Sequence, residues 1–156
     1  KKDEFLQKWF SQNAYEDLVR YFNAAKMIEN EKLRNTVTLA ITSIVKKVSK
    51  VDSRCVNHIV VDNHKKPVDV RKSLLDKLES MSKDIDALES KKSNAKVKIE
   101  QGDARKLPLK NDSVDFIISH PPYLGAIDYT NIFQLENLML INLGEVQKLN
   151  LLLALI

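Results

Sequence analysis

Apolar side chains recur at helical spacing through the first fifty residues. Tyr15, Leu18, Val19, Phe22 and Met27 share one face of a helix that Ser11 or Asn13 can cap. Leu33, Val37, Ala40, Ile41, Ile44, Val45 and Val48 line a second face. Glu31 in its first turn and Lys46, Lys47 and Lys50 near its end suit the helix dipole. Both stretches are predicted to be core-facing helices, with Trp9 and Phe10 as a staple at the start of the first. Across 51–68, Val56 and Ile59-Val60-Val61 favour a short strand or an extended crossing, and Asn63 and Pro67 mark turns. A long helix is predicted from about Asp69 to Ser90. Leu74, Leu78, Met81, Ile85 and Leu88 form a narrow seam on it, which suits a helical hairpin or a long arm packed on the domain.

The period changes near residue 95. Val97 and Ile99 alternate with Lys96, Lys98 and Glu100, predicting a short strand that ends at Gly102-Asp103. After a turn-rich stretch, Val114-Asp115-Phe116-Ile117-Ile118-Ser119 reads as a second strand, buried and parallel. From about Tyr129 to Leu143 the pattern is helical again, with Gly144 placed to end it.

Composition narrows the class. Of 156 residues, 44% are apolar and 29% charged, which fits a soluble, globular domain. No apolar run is long enough to cross a bilayer, so no membrane contact is expected, and no secretory leader opens the chain, so the default compartment is the cytoplasm. The single cysteine, Cys55, excludes an internal disulfide, and with His58 and His64 it completes no familiar zinc set; no metal is expected. The net charge of +4 is uneven, with +8 over residues 1–110 and −4 over 111–156. The basic part suits a phosphate backbone, and equally a solvated lysine-rich surface.

The chain opens on Lys1-Lys2 and closes on Leu151-Leu152-Leu153-Ala154-Leu155-Ile156. Such an apolar terminus is expected to be covered by a missing part of the same domain or by an oligomer partner.

The chemistry concentrates in Gly102-Asp103-Ala104-Arg105-Lys106-Leu107-Pro108-Leu109, followed by Asn111 through His120-Pro121-Pro122-Tyr123. Two prolines lack amide hydrogens and have fixed φ, so they stiffen a loop whose carbonyls point outward. In an open α/β sheet, ligands bind outside the carboxyl ends of strands, which is where this loop would sit. Tyr123 adds a flat aromatic face.

This segment resembles the catalytic motif of the amino-methyltransferases of DNA, in which Asp, Asn or Ser precedes Pro-Pro and an aromatic residue. The Gly-Asp-Ala turn and the continuation Leu124-Gly125-Ala126-Ile127-Asp128-Tyr129 are similar to DNA methylases of the cytosine-N4 and adenine-N6 type. A looser likeness runs from Lys8-Trp9-Phe10 through Leu33-Arg34 to Lys50. The resemblance implies a partial Rossmann-like α/β methyltransferase fold with a large helical region. Residues 1–92 would be the helical region and 93–156 the catalytic-loop portion.

The resemblance also implies S-adenosyl-L-methionine as methyl donor and a flipped base stacked on Tyr123. The Pro121 carbonyl and the side chain of residue 120 would accept hydrogen bonds from the exocyclic amine, with Pro122 stiffening the loop. Asp103 matches an acidic position facing the cofactor's adenine. Asp128 and Tyr129 line the target pocket, or cap and pack the following helix. DNA is the expected partner and RNA the alternative.

Two departures stand out. Position 120 is His, whose neutral ring has one acceptor nitrogen and whose protonated ring has none, so activity is expected to fall at acid pH. The family's phenylalanine- and glycine-rich cofactor loop is absent between Lys1 and Ile156, where glycine occurs at Gly102, Gly125 and Gly144. The loop would lie upstream or downstream, and this chain alone is expected to bind the cofactor poorly. Two rival functions keep the same residues in view: RNA guanine-N2 methylation, and a non-catalytic helical module that binds nucleic acid or a partner.

Overall fold

The computed structural model describes residues 8–52, 60–91, 94–120 and 132–142. Four helices are set out along them: α1 Gln12–Lys26, α2 Glu31–Val48, α3 Val70–Glu89 and α4 Gln134–Asn142.

Local chemistry explains each start. Ser11 caps α1 through its side chain, which accepts from the Ala14 amide at 3.3 Å. Phe10, just before that cap, meets Tyr15 one turn into the helix at 6.4 Å between ring centroids. This is the hydrophobic staple expected at the chain's entry to α1. Asn30 caps α2 by accepting from the Leu33 amide at 3.0 Å, and Asp69 caps α3 by accepting from the Lys72 amide at 2.7 Å.

Helix α2 lies at the centre and touches each of the other three. Its hydroxyl side chains do not disturb that position, because Thr36, Thr42 and Ser43 donate to carbonyls of the same helix. Ala40, Ile41, Ile44, Val45 and Val48 of α2 meet Leu18 and Phe22 of α1, Val70 and Leu74 of α3, and Leu135 and Met139 of α4. Each large side chain buried there contributes about 1.5–3 kcal/mol of transfer free energy. The predicted seam on α3 divides: Leu74 is buried and Leu78 and Met81 pack against the core, but Ile85 and Leu88 are 48% and 70% exposed. The helix therefore behaves as an arm, with its first half docked and its second half projecting.

The crossing after α2 is clamped by polar contacts. Val51 and Val61 form an isolated antiparallel bridge, flanked by Asp52 N to Val60 O at 2.8 Å and Asp62 N to Lys50 O at 2.7 Å. The Lys65 ammonium donates to Lys46 O at 3.1 Å and Val51 O at 2.9 Å, closing the C-terminal end of α2. Burial pushes the Lys65 pKa down, against the opposing pull of Asp62 and Asp52. Val56 and Ile59 of the predicted crossing lie outside the described residues.

The two predicted strands do not form. Val97 and Ile99 are 82% and 91% exposed, and Phe116, Ile117 and Ile118 are 79%, 75% and 86% exposed. Among the described residues there is no strand, only isolated bridges. A strand is held by a neighbour that accepts and donates along its ladder. Among the described residues no ladder forms along 94–100 or 114–119, so neither stretch is a strand. The observed architecture is therefore helical with a long extended segment, and the described residues form no α/β sheet. Among them, no helix is long and apolar enough to cross a membrane.

Candidate functional site

The extended segment turns sharply at Gly102 to Lys106. Lys106 N donates to Asp103 O at 2.9 Å, making an isolated bridge between those two residues. Asp103 also organises the turn with its side chain. Its Oδ1 accepts from the Arg105 amide at 2.9 Å and from Arg105 Nε at 3.0 Å, and its Oδ2 accepts from Arg105 Nη2 at 2.7 Å. The guanidinium beside it holds the Asp103 carboxyl below the usual carboxylate range, and the carboxylate raises Arg105 in return.

Beside this turn lies an open hollow of about 390 Å³. Leu107, Pro108 and Leu109 give it an apolar wall, Gly102 and Ala104 a shallow floor, and Lys98 and Glu100 a charged rim paired at 2.8 Å. A Cβ added at Gly102 would meet nothing within 4 Å. The next turn, at Asn111-Asp112, puts Asp112 at φ 57°, a left-handed conformation that Asp tolerates better than most residues. Ser113 Oγ closes it by donating to Lys110 O at 2.7 Å.

Of the predicted site residues, the structure places Asp103 in the Gly102 turn and His120 outside any helix or strand, both exposed. Neither is enclosed. Pro121, Pro122, Tyr123, Asp128 and Tyr129 lie outside the described residues, as do Cys55, His58 and Gly144. Among the described residues no group of His, Cys, Asp and Glu could hold a metal ion.

The chain re-enters the described structure at Ile132 and docks at once. Leu135 is fully buried and Met139 nearly so, both against the helical core. The Lys46 ammonium of α2 lies 5.8 Å from the centre of the Phe133 ring. Glu136 sits in the same contact with its Oε2 buried and lacking a hydrogen-bond partner among the described residues. Burial pushes its pKa up, while its own amide and the Lys46 charge pull it down.

Sequence reasoning missed this carboxylate. Its signal was present, since Glu136 interrupts an apolar run one residue after Leu135 on a helix that has to dock. The Arg105–Asp103 clamp was also missed, because Arg105 fits phosphate contact and plain exposure equally well by sequence.

Residues 80–140 match the family model described as UPF0020, an RMKL-like methyltransferase domain. The match takes in the distal half of α3, the Gly102 turn, the whole Pro-Pro-Tyr motif and the first part of α4. It spans under half of the chain and supports a methyltransferase reading of that stretch. Comparison with curated proteins and with solved structures gives no match.

Proposed function

We propose that this chain carries the catalytic loop of a Rossmann-like methyltransferase that transfers a methyl group from S-adenosyl-L-methionine to an exocyclic amine of a DNA base, cytosine N4 or adenine N6. One observation carries the reading: His120-Pro121-Pro122-Tyr123 follows an apolar run with both faces hydrophobic, inside the stretch that matches a methyltransferase domain.

The cofactor's adenosyl half fits what the Gly102 turn offers. An apolar wall suits an adenine ring, the open space over Gly102 lets it approach the backbone, and Asp103 supplies a carboxylate acceptor. Asp103 would have to share that carboxylate with Arg105. When bound, the cofactor supplies an electrophilic methyl group on a sulfonium.

The chain's own residues then do the positioning. The Pro121 carbonyl and the acceptor nitrogen of neutral His120 hold the two amine hydrogens, which directs the nitrogen lone pair away from the ring. Tyr123 stacks on the extruded base and removes its freedom to rotate. His120 would take the proton that the amine must lose on methylation and pass it to water.

The test is nucleoside mass spectrometry on DNA treated with the protein expressed from its full reading frame and S-adenosylmethionine. N4-methylcytosine or N6-methyladenine should form, and Tyr123→Ala and Pro121→Ala should each abolish it. Activity unchanged in both variants would refute the assignment. RNA guanine-N2 methylation is the second reading, since the matched methyltransferase domain names no acceptor. The same assay on RNA, read for N2-methylguanosine, separates the two.

A further inference from the structure

The fold gathers lysines from three sequence-distant stretches around the C-terminal end of α2. Lys46 and Lys47 come from the last turn of the helix and Lys50 from just beyond its cap, Lys65 and Lys66 from the return after the Asn63-His64 turn, and Lys8 from the approach to α1. Hydrogen bonds hold the three stretches together. Lys50 N donates to Trp9 O at 2.7 Å, Asp62 N donates to Lys50 O at 2.7 Å, and Lys65 Nζ reaches Lys46 O. Lys8 Nζ stands 5.1 Å from the centre of the Trp9 ring.

Elsewhere on the described surface four cations have an acidic partner close in sequence. Arg20 pairs with Asp17, Lys83 with Glu79, Lys98 with Glu100 and Arg105 with Asp103. At the end of α2 the acids are Asp52, Asp62 and Glu136. Asp62 Oδ1 is taken up by the His64 amide, and Glu136 faces Lys46. Among the described residues Lys47, Lys50 and Lys66 have no ion-pair partner. The carbonyl end of the helix lowers the cost of assembling like charges there, but Lys65 already occupies part of it. The excess positive charge on the outward lysines is left facing solvent.

We infer that Lys8, Lys47, Lys50 and Lys66 form a docking surface for the phosphodiester backbone of a nucleic acid, beside the point where the chain returns from the Pro-Pro-Tyr motif to α4. The inference rests on the nucleic-acid reading of the proposed function and places the backbone apart from the reacting base. Lysines act there as point charges without base readout, so binding is sequence-independent and salt-sensitive. Trp9 is 6% exposed, so its ring braces Lys8 and offers no face to a base.

The experiment is fluorescence anisotropy of labelled oligothymidine and oligouridine with the 156-residue chain and no cofactor, from about 50 to 200 mM salt, where counterion release is readable. Neither oligomer carries an exocyclic amine, so the readout is independent of methyl transfer. Lys47→Glu, Lys50→Glu and Lys66→Glu together should weaken binding at least about tenfold and lower the salt slope by roughly 2. Lys32→Glu, Lys72→Glu and Lys91→Glu together make the same charge change on exposed lysines elsewhere, and should cost less than about threefold. Equal losses in the two triples, or binding only to anionic vesicles, would overturn the inference. Should the first triple lose its helical circular dichroism, Lys47→Gln with Lys66→Gln keeps the test open, since both side chains are exposed. Oligonucleotide binding lost only in the first triple, with no methylation by the full protein, sustains the surface and refutes the enzyme. Tighter binding of one oligomer identifies DNA or RNA as the backbone source.

Discussion

Removing the Glu136 carboxyl should stabilise this protein at neutral pH. Its Oε2 is buried in the contact between α4 and α2 and has no hydrogen-bond partner among the described residues. An unsatisfied buried acceptor costs about 1–3 kcal/mol, and a charged one more. Lys46 returns part of that cost, as ion pairs with some solvent access are worth about 0.2–1 kcal/mol. The balance predicts that Glu136→Met, similar in length and wholly apolar at its tip, gains roughly 1–2 kcal/mol at pH 7. For a domain of this size that is an increase of roughly 3–6 °C in Tm.

The pH dependence fixes the cause. Burial raises the folded pKa of Glu136 above its unfolded value, so between the two the native state holds more protons than the unfolded chain. Stability from this group is therefore highest below the ordinary glutamate range and falls as pH rises through the folded pKa. The advantage of Glu136→Met should be largest at neutral pH and shrink on acidification. Lys46→Met should destabilise the parent protein and cost less on the Glu136→Met background. Thermal unfolding followed by far-UV circular dichroism across the acid-to-neutral range, on all four proteins, measures each quantity. A Glu136→Met protein less stable than the parent at pH 7, or an advantage that does not change with pH, would refute the reasoning.

Leu18→Ala, at a fully buried site, should cost about 2–5 kcal/mol in urea unfolding, whereas Leu88→Ala, on the projecting half of α3, should fall within about 0.5 kcal/mol of the parent. Gly102→Ala should leave helical content and Tm unchanged, because its Cβ meets open space; lost methyl transfer in the full protein would then show that a ligand needs that room. Backbone amides of 114–119 should exchange hydrogen far faster in this chain than those of α2, and mass spectrometry showing equal protection would contradict the unpaired geometry.

The helices were legible because their signals are local. Ser11 and Glu31 mark starts, and the apolar faces of α1 and α2 repeat at helical spacing, so the buried residues Leu18, Phe22, Ile41, Ile44 and Val45 follow directly. The seam on α3 was legible as a pattern but not as a fate. Leu74 and Ile85 occupy equivalent positions on the helix, and only the length of the surface beneath decides that one is buried and the other is not. The failure at 97–99 and 114–119 is of another kind. Alternation and apolar runs report which faces a strand would bury, but the strand itself exists only when a ladder partner lies alongside. The Asp103–Arg105 clamp and the Glu136–Lys46 contact depended on side-chain direction, which spacing alone does not give.

The two extended stretches differ in what they would need in order to order. In an extended chain neighbouring side chains face opposite ways, so Val97 and Ile99 share one face while Lys96, Lys98 and Glu100 take the other. A cover on one side suffices there. Phe116, Ile117 and Ile118 are consecutive, and exposing all three leaves apolar surface on both faces. At about 25 cal/mol per Å², covering one face of that run recovers only part of the free energy available, so it calls for neighbours above and below, as in the interior of a sheet. His120-Pro121-Pro122-Tyr123 begins one residue beyond this run. The loop would thus inherit its direction from the most deeply covered strand, while α4, anchored by Leu135 and Met139, fixes the chain on its far side. Were 114–119 covered in that way, a loop between a buried strand and the docked α4 would lose freedom at both flanks, and that restraint is what proline-rigid positioning of an amine would require.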